Sequence, residues 1–512
     1  MSDMSYSELL KLAAPETILV VTTLVVLAAD LIAMRDLELR IRLTIGGMIA
    51  AVGCVVAAAW MLLLPEHADL LQGMFVVDPL TRLVKVALLA MTVFTILLSV
   101  ETSFTEHVGD YFALVLLAAV GMMFLVSSQD ILMIFISLEL TSLSLYILTA
   151  FNKRNIKSAE AALKYFLFGG TAAAFTLFGL SLLYGIAGST NLGEIARAVA
   201  EKAVFTVAGH DGMARPVVDP VLAVAVVMTV IGFGFKVAAV PFHLWAPDAY
   251  QGAPTPSAAF IASGSKLAGF FIFAIVMMRG FKGAEGSAAW HGCVPGWVPV
   301  LAVVAAASMV LGNLAAIVQS SVRRLLAYSA VAHAGYILLG ILSHTEQSLV
   351  SLIYYAITYG LTTIGAFGVV LVVQERGGGE NLADFAGLSR RAPLVSFCMM
   401  IFMLSLAGIP PLAGFFGKFY VFTATIGSEP QNLGLLWLVV LAVATSAVSL
   451  YYYLQVLKQI YVAEEPPNAQ AICTPVSTQV ALVLLALSVV LLGCAPELLL
   501  KTLHEAVKAA GL

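Results

Sequence analysis

Charged residues are scarce in this chain of 512 residues. Asp, Glu, Lys and Arg together make up 11% of it, whereas hydrophobic residues make up 61%. Soluble globular chains are about 25% charged and about 45–50% apolar. The composition therefore excludes a soluble enzyme and a disordered scaffold. The formal net charge is −4, and no basic stripe is present to follow a phosphate backbone, so nucleic acid is excluded as a partner.

Cysteine and buried histidine are also rare. The five cysteines are never within four residues of one another, which excludes CxxC pairs, thiolate zinc clusters and iron–sulfur spacing within the chain. Only His243 and His333 fall inside apolar segments, a poor basis for a bis-histidine haem. No phosphate-binding loop or nucleophile–base pair is present either. We therefore expect neither a metal nor a cofactor site in this chain.

Long apolar runs are what the sequence has instead. About 20 apolar residues cross the hydrocarbon core as a helix, so the sequence predicts an all-α polytopic membrane protein with about fourteen spans. An even number of spans puts both termini on one side, and the loops of the opposite side hold more Lys and Arg, which predicts outer-side termini. The predicted spans are 15–34, 41–64, 79–100, 109–127, 129–151, 159–185, 217–242, 254–279, 297–318, 322–343, 347–374, 393–425, 432–462 and 475–500.

An internal repeat is visible at a shift of 190 residues. The shift brings the fifth and sixth spans onto the tenth and eleventh, with matches of Tyr146 to Tyr336, Tyr165 to Tyr355 and Gly170 to Gly360. Because the shift is five helices, an odd number, the two copies have opposite topology, as in many transporters. Chance similarity between apolar helices is the alternative. The predicted divisions are 1–105 with three helices, 106–295 and 296–465 as two inverted five-helix repeats, and 466–512 with the last helix.

Prolines interrupt two predicted spans. The seventh carries Pro241 and Pro247 in FKVAAVPFHLWAPDAY, and the twelfth carries Pro410 and Pro411 in LAGIPPLAGFFGK. Proline removes a backbone donor, and membrane helices tolerate this where neighbours or water satisfy the freed groups. Broken helices at corresponding positions of two halves indicate a transport path, although an ordinary proline kink is the alternative.

A glutamate and a lysine within the spans are the first candidates for chemistry. Glu139 lies about ten residues into its span, where a carboxylate must face a partner or water. Lys236 lies between a glycine pair and the Pro241 break. A lysine with a movable carboxylate partner can hold or release a proton, so we expect Glu139 to pair with Lys236 and to switch it. A permanent structural ion pair is the alternative.

Three further lysines and one histidine extend this row. Lys266 and Lys418 lie far from the predicted ends of their spans, and either could instead be permanently paired. Lys164 is only a few residues into its span, so its side chain could equally reach the inner surface. His333 could bridge a water-filled path or be a hydrogen-bonded core residue. Lys85 is placed at the outer start of the third span. Such a row of titratable groups is typical of a proton relay.

Three stretches resemble a known family. FKVAAVPFHLWAPDAYQGAPTPSAAFIASGSK, RRLLAYSAVAHAGYIL and LSLAGIPPLAGFFGKFY resemble the signature segments of the antiporter-like, proton-translocating subunits of respiratory complex I (NADH-quinone oxidoreductase), which multisubunit cation/proton antiporters share. The likeness runs from the fourth to the thirteenth span. Lysine in SGSKLAGF, where the sister subunits L and M usually have a histidine-containing stretch, and lysine in the twelfth span favour the third such subunit of complex I.

The resemblance implies a mechanism and a setting. Glu139 would be the coupling acid of the fifth helix, Lys236 its partner, Lys266 the central lysine and Lys418 the end of the path toward the outer side. NADH, FMN, iron–sulfur clusters and quinone are expected in other subunits. Subunits M and K and the lateral helix of subunit L are the expected partners, in a bacterial inner membrane. A subunit of a cation/proton antiporter is the alternative, and a scaffold without transport is a further one.

Overall fold

The chain folds as a bundle of apolar helices. The structure is a computed structural model that describes residues 6–202, 204–208, 214–428, 433–465 and 472–511. Within these residues, twelve helices are long and apolar enough to cross a membrane, and two shorter apolar helices occupy the predicted seventh and twelfth spans. The polytopic helical architecture is therefore confirmed, whereas the count of fourteen spans stays a prediction. Residues 466–471, where the predicted C-terminal division begins, lie outside the described residues.

The N-terminal part holds the first three spans and a small hairpin. A π-helical turn at Ala29–Ala33 extends the first span, and a 3-10 turn at Met61–Leu63 extends the second. The elements are α1 (Tyr6–Leu12), α2 (Ala14–Ala28), α3 (Leu39–Trp60), β1 (Ala68–Leu70), β2 (Phe75–Val77) and α4 (Pro79–Ser99). Asp78 starts α4 with a reciprocal capping box to Thr81, and Pro79 occupies the first helical position, where its missing N–H costs nothing.

The first predicted repeat contains seven elements before the break in its seventh span. These are α5 (Val108–Val126), α6 (Ile131–Thr149), α7 (Ile156–Ala187), α8 (Leu192–Lys202), the antiparallel pair β3 (Val204–Ala208) and β4 (Ala214–Val218), and α9 (Pro220–Lys236). The second half of the broken seventh span is α10 (Trp245–Gly252). The eighth span is α11 (Thr255–Ala262), α12 (Gly264–Ile275) and a π-helical turn at Val276–Gly280.

The second predicted repeat has the same order of long helices, and the part of it that the structure describes holds no hairpin. It comprises α13 (Trp297–Ile317), α14 (Val322–Leu342), α15 (Glu346–Gly377), a 3-10 turn (Leu382–Phe385), α16 (Leu388–Arg391), α17 (Pro393–Ala407), α18 (Ala413–Ser428) and α19 (Leu436–Tyr461). The chain then continues with α20 (Val476–Cys494) and α21 (Glu497–Ala509). The most extensive helix contacts join α13 to α14, α7 to α9 and α5 to α6.

Matched backbone features support the repeat interpretation. Helices α7 and α15 both have 32 residues, and each ends at a glycine in the left-handed conformation. Those glycines, Gly188 and Gly378, are 190 residues apart. An isolated β-bridge joins Asp130 to Asn191, and a second joins Ser321 to Asn381 at nearly the same shift. Asp130 caps α6 and Ser321 caps α14, so equivalent loops fix the starts of equivalent helices.

The two breaks also correspond, at a smaller shift. Each contains a cis proline bond, at Val240–Pro241 and at Pro410–Pro411, which are 170 residues apart. The shift falls from 190 because β3 and β4 lengthen the connection between α8 and α9, whereas only Ala392 separates α16 from α17. The connection that holds the hairpin thus accounts for most of the residues by which the predicted repeats differ in length.

The structure departs from the predicted spans in three places. Two short hairpins accompany the helices, although the sequence predicts an all-α fold. The eighth span is interrupted at Ser263, where the backbone leaves the helical region at φ −117° and ψ −82°. The last predicted span, 475–500, is two helices, because α20 ends at Cys494 and Pro496 precedes α21. Proline has no N–H with which to continue the first of them.

Candidate functional site

Lys236 ends the first half of the broken seventh span. It is the last residue of α9, five residues before the cis proline Pro241, and its side chain is buried. Its Nζ donates a hydrogen bond to Ser142 Oγ on α6 at 3.2 Å. A β-carbon built on Gly269 of α12 would lie 3.2 Å from Lys236 Cγ. The lysine stem therefore runs in the narrow space between α6 and α12.

Glu139 shares a small cavity with Lys236. The cavity has a volume of about 20 Å³, and its lining includes Ser142, Tyr146 and Thr176, so it has room for one water molecule. Among the contacts of the described residues, no direct ion pair joins the Glu139 carboxylate to the Lys236 ammonium. The two expected partners thus face one space but are apart.

Glu139 also lies at the perimeter of the helix bundle. It is half-buried on α6, in line with side chains that are half-exposed to the surroundings, at Leu132, Ile136 and Leu143. These positions recur every three or four residues and so occupy one helix face. The carboxylate therefore stands at the border between the internal cavity and an apolar exposed face.

Lys266 lies directly after the interruption of the eighth span. Ser263 Oγ donates to Ala259 O at 2.7 Å and so satisfies a carbonyl at the break. One turn later, the buried Lys266 donates through Nζ to Ala330 O of α14 at 2.9 Å. The sequence contains no proline at this break, which is why the predicted eighth span was continuous.

Lys418 lies in α18, after the second proline break. Its Nζ donates to Leu406 O at 3.0 Å, to Ala407 O at 3.1 Å and to Ser446 Oγ at 2.9 Å. The end of α17 leaves its last carbonyls without helical partners, and the lysine satisfies two of them. The Lys418 Nζ also lies 5.2 Å from the centre of the Tyr336 ring.

His333 lies on α14 between the contacts of these two lysines. It is buried, and both ring nitrogens have phenol partners. Nδ1 is 2.8 Å from Tyr355 Oη, and Nε2 is 3.1 Å from Tyr453 Oη. A neutral imidazole has one donor and one acceptor nitrogen, so His333 can accept from one tyrosine while it donates to the other.

Lys164 occupies a different environment from the other candidates. Its side chain is 41% exposed, and its Nζ lies 2.6 Å from Glu160 Oε1 and 2.8 Å from Asp248 Oδ2. Arg324 binds the other oxygen of Asp248 at 2.7 Å. This geometry favours the alternative in which Lys164 reaches the surface.

Sequence reasoning missed a buried lysine in the third span. Lys85, expected at the outer start of that span, is 2% exposed and forms an ion pair of 2.7 Å with Glu16 of α2, which is 1% exposed. The Lys85 Nζ also lies 4.5 Å from the centre of the Phe75 ring on β2. The hairpin β1–β2 covers this end of α4, and nothing in the sequence indicated that it would.

No cofactor or metal site is evident in the described part of the chain. The described histidine, cysteine, aspartate and glutamate residues form no group of three that could hold a metal ion. All five cysteines are free. The side chains of the site offer hydrogen bonding and proton exchange by amines, one carboxylate, one imidazole and several hydroxyls.

Comparisons with known proteins agree on one family. The family described as NADH:quinone oxidoreductase/Mrp antiporter, TM, matches residues 128–449. NADH-quinone oxidoreductase subunit N 2 of Acidobacterium capsulatum is 50% identical over 513 aligned residues, which cover 98% of this chain and 100% of that protein.

Two solved structures have the same fold. A chain of respiratory complex I from Thermus thermophilus is 32% identical, with a TM-score of 0.76, over 96% of this chain and 99% of that one. A chain of the Mrp complex from Dietzia sp. DQ12-45-1b is 20% identical, with a TM-score of 0.77, over 97% of each chain. At 20% identity the second likeness concerns the fold alone.

Proposed function

This chain belongs to the NADH:quinone oxidoreductase/Mrp antiporter family of membrane proteins, and on that premise we propose that it translocates protons as the N-type, antiporter-like subunit of an NADH-quinone oxidoreductase. It is a multi-pass membrane subunit of a multisubunit respiratory complex whose redox cofactors are carried by other subunits. Its own part in the reaction is therefore to move charge rather than electrons.

The observation that carries the proposal is the row of three buried lysines. Lys236, Lys266 and Lys418 are each buried within the helices, and each donates to hydroxyl or carbonyl oxygens rather than to a carboxylate. A buried ammonium without a closed ion pair carries a large desolvation penalty. Such a lysine can exist with or without its proton, which is what a relay requires.

Glu139 is the group that biases the first lysine. When the carboxylate approaches Lys236, or a water molecule links them across their shared cavity, the ammonium is stabilised; when the distance grows, the proton is released. We propose that Lys236 then passes its proton to Lys266 and that His333 links Lys266 to Lys418. Lys164 stays outside this path because Glu160 and Asp248 hold it near the surface.

The setting follows from the same premise. We propose that subunits M and K and the lateral helix of subunit L are the neighbours, and that the half-buried Glu139 faces one of them. We further propose a bacterial inner membrane, with both termini on the outer side. A cation/proton antiporter subunit shares this fold, but the lysine of SGSKLAGF favours the complex I branch.

The first test combines co-purification with one substitution. The tagged chain is extracted in mild detergent, its assembly is assayed for NADH-to-quinone electron transfer, and Lys236→Ala is compared with Lys157→Ala, an exposed lysine that starts α7. We expect NADH activity to travel with the tag. In proteoliposomes, proton pumping per assembled complex should be lost in Lys236→Ala and kept in Lys157→Ala.

The outcomes of this test distinguish the proposed relay from a cation/proton antiporter and from a scaffold. Wild-type pumping with normal electron transfer in Lys236→Ala would remove Lys236 from the relay. An intact assembly without NADH or quinone activity would instead favour the cation/proton antiporter. Scaffolding without transport would be the answer if alanine at Glu139, Lys236, Lys266 and Lys418 all left pumping unchanged.

A further inference from the structure

Helix α14 presents the contacts of two relay lysines on one face. The carbonyl of Ala330 accepts from Lys266, and the ring of Tyr336 lies beneath Lys418. His333 is three residues from each, so the three positions are one helical turn apart on the same face. The histidine is therefore midway between the two lysine contacts.

Hydrogen bonds extend from His333 in both directions. On one side, its Nε2 is 3.1 Å from Tyr453 Oη, which is 2.5 Å from Ser329 Oγ. On the other side, its Nδ1 is 2.8 Å from Tyr355 Oη. All four side chains are buried. They form one continuous row of exchangeable protons, Ser329–Tyr453–His333–Tyr355, which we call the hydroxyl–imidazole row.

The two ends of this row lie beside different lysines. Ser329 immediately precedes Ala330, which accepts from Lys266. The Tyr355 ring packs against the backbone of α18 so closely that a β-carbon on Gly417 would lie 2.8 Å from Tyr355 Cδ2, and Gly417 immediately precedes Lys418. The order of groups is thus Lys266, Ser329, Tyr453, His333, Tyr355, Lys418.

We propose that the hydroxyl–imidazole row is the wire that carries a proton from Lys266 to Lys418, with Ser329, Tyr453 and Tyr355 as relay groups. The proposal rests on the proposed function and names the groups that complete it. Among the hydrogen bonds of the described residues, none joins either lysine to the row itself. The proposal therefore requires that the lysine side chain moves, or that water enters, at each end.

The transfer of one proton from Lys266 to Lys418 leaves every group of the row with its original number of protons. A proton from Lys266 arrives at Ser329 Oγ, whose own proton passes to Tyr453, and that of Tyr453 passes to Nε2 of neutral His333. The proton on Nδ1 passes to Tyr355, whose own proton passes to Lys418. Every hydroxyl keeps one proton, and His333 stays neutral but changes tautomer. The row must reorient before it can carry a second proton.

Two adjacent tyrosines of α15 provide a matched comparison. Tyr355 donates or accepts at His333, whereas Tyr354 donates to Leu492 O at 2.7 Å. Both are buried, and each loses one hydrogen-bonded hydroxyl on replacement by phenylalanine. The experiment compares Tyr355→Phe, Tyr453→Phe and Tyr354→Phe with Lys266→Ala in the assembled complex, as NADH-driven pumping in proteoliposomes per assembled complex.

We expect proton pumping in Tyr355→Phe and in Tyr453→Phe to fall to the reduced rate of Lys266→Ala. Combining either substitution with Lys266→Ala should cause no further loss, because the effects of substitutions in one path are not additive. Tyr354→Phe should pump normally. A second pair guards against misfolding: Ser329→Ala should lose pumping, whereas Ser329→Thr, which keeps a hydroxyl, should retain it.

A failure of the proposed wire can be distinguished from a failure of the proposed function. Normal pumping in Tyr355→Phe or Tyr453→Phe, with Lys266→Ala impaired, overturns the wire and leaves the proposed function intact. Equal loss in Tyr354→Phe and Tyr355→Phe overturns it too, since a packing effect would explain both. Normal pumping in Lys266→Ala contradicts the proposed function itself.

Discussion

Two buried lysines of this chain, Lys85 and Lys236, each lie near a glutamate, and the geometry of the two combinations differs. Glu16 and Lys85 touch at 2.7 Å. Glu139 and Lys236 share a cavity, but the Lys236 ammonium is bound to Ser142 instead. A closed buried pair resists separation because each charge alone would be left desolvated. The first arrangement therefore fastens α2 to α4, whereas the second leaves its lysine free to change partner.

Neighbouring side chains explain the difference. The Phe75 ring lies 4.5 Å from Lys85 Nζ and closes the space around the first pair. Small residues, among them Gly169, Ala172 and Gly232, line the cavity of the second. A void of this size persists only because no larger side chain fills it. The space between Glu139 and Lys236 thus depends on the small glycine and alanine side chains that line it rather than on the charged residues.

The largest expected effect comes from opening the closed pair. Lys85→Met leaves the Glu16 carboxylate buried and uncompensated, which we expect to destabilise the protein by about 3–5 kcal/mol. Glu16→Leu combined with Lys85→Met should recover most of that loss, because an apolar pair of similar volume is often neutral. Thermal denaturation of the purified complex measures both.

The same variants show whether the closed pair takes part in transport. Pumping per assembled complex should stay normal in the double variant, in contrast to Lys236→Ala. If the double variant folds and its pumping is lost, the distinction between a fastening pair and a relay pair is wrong.

A smaller effect is expected from narrowing the space around Lys236. Gly269→Ala would put a β-carbon 3.2 Å from Lys236 Cγ and 3.5 Å from Val237 Cγ1. The lysine must then shift by a few tenths of an ångström, so we expect slower pumping with near-normal stability. Gly170→Ala on α7 is the control, because an added β-carbon there meets no atom within 4 Å.

Alanine in place of a mid-helix glycine otherwise stabilises by about 0.5–1 kcal/mol. Gly170→Ala should therefore pump normally and unfold at the same or a slightly higher temperature. Equal pumping rates for Gly269→Ala and Gly170→Ala would show that Lys236 does not depend on the space beside α12.

The smallest effect concerns a third, partly exposed ion pair. Lys164 binds one oxygen of the Asp248 carboxylate at 2.8 Å, and Arg324 binds the other at 2.7 Å. Asp248→Asn removes the negative charge that these two cations share. We therefore expect a slightly lower unfolding temperature in this variant.

Thermal unfolding of the detergent-solubilised complex checks this expectation. The effect is small because water screens partly exposed pairs. An unfolding temperature of Asp248→Asn above that of the wild type would contradict the assignment.

The membrane architecture and the positions of the candidate lysines within the helices could be predicted from the sequence because length and polarity constrain them strongly. Apolar runs of about 20 residues are typical of membrane-spanning helices. An ionisable residue such as Lys266 in the middle of such a run indicates a functional site. The prolines at 241 and 410–411 marked two of the breaks. Glu139 and Lys236 line one cavity, and the expected switching of Lys236 by Glu139 stays a prediction.

Other parts depended on contacts that a sequence pattern does not carry. The break at Ser263 has no proline to announce it. Lys85 looked interfacial because it is only seven residues past Asp78, and its burial depends on how a short hairpin folds over it. The hydroxyls of Tyr355 and Tyr453 resemble those of other tyrosines in the sequence, and only the structure brings them to His333.

Glu139, at the border between the cavity and the exposed face of α6, has a consequence for biogenesis. Before assembly, that face would lie against acyl chains, where an ionised side chain costs something like 2.5–3.5 kcal/mol on insertion scales. An orphaned chain would bear this penalty, or neutralise the carboxyl, until a neighbour covers it. The residue to which we assign a role in transport would thus also mark an unassembled subunit as incomplete.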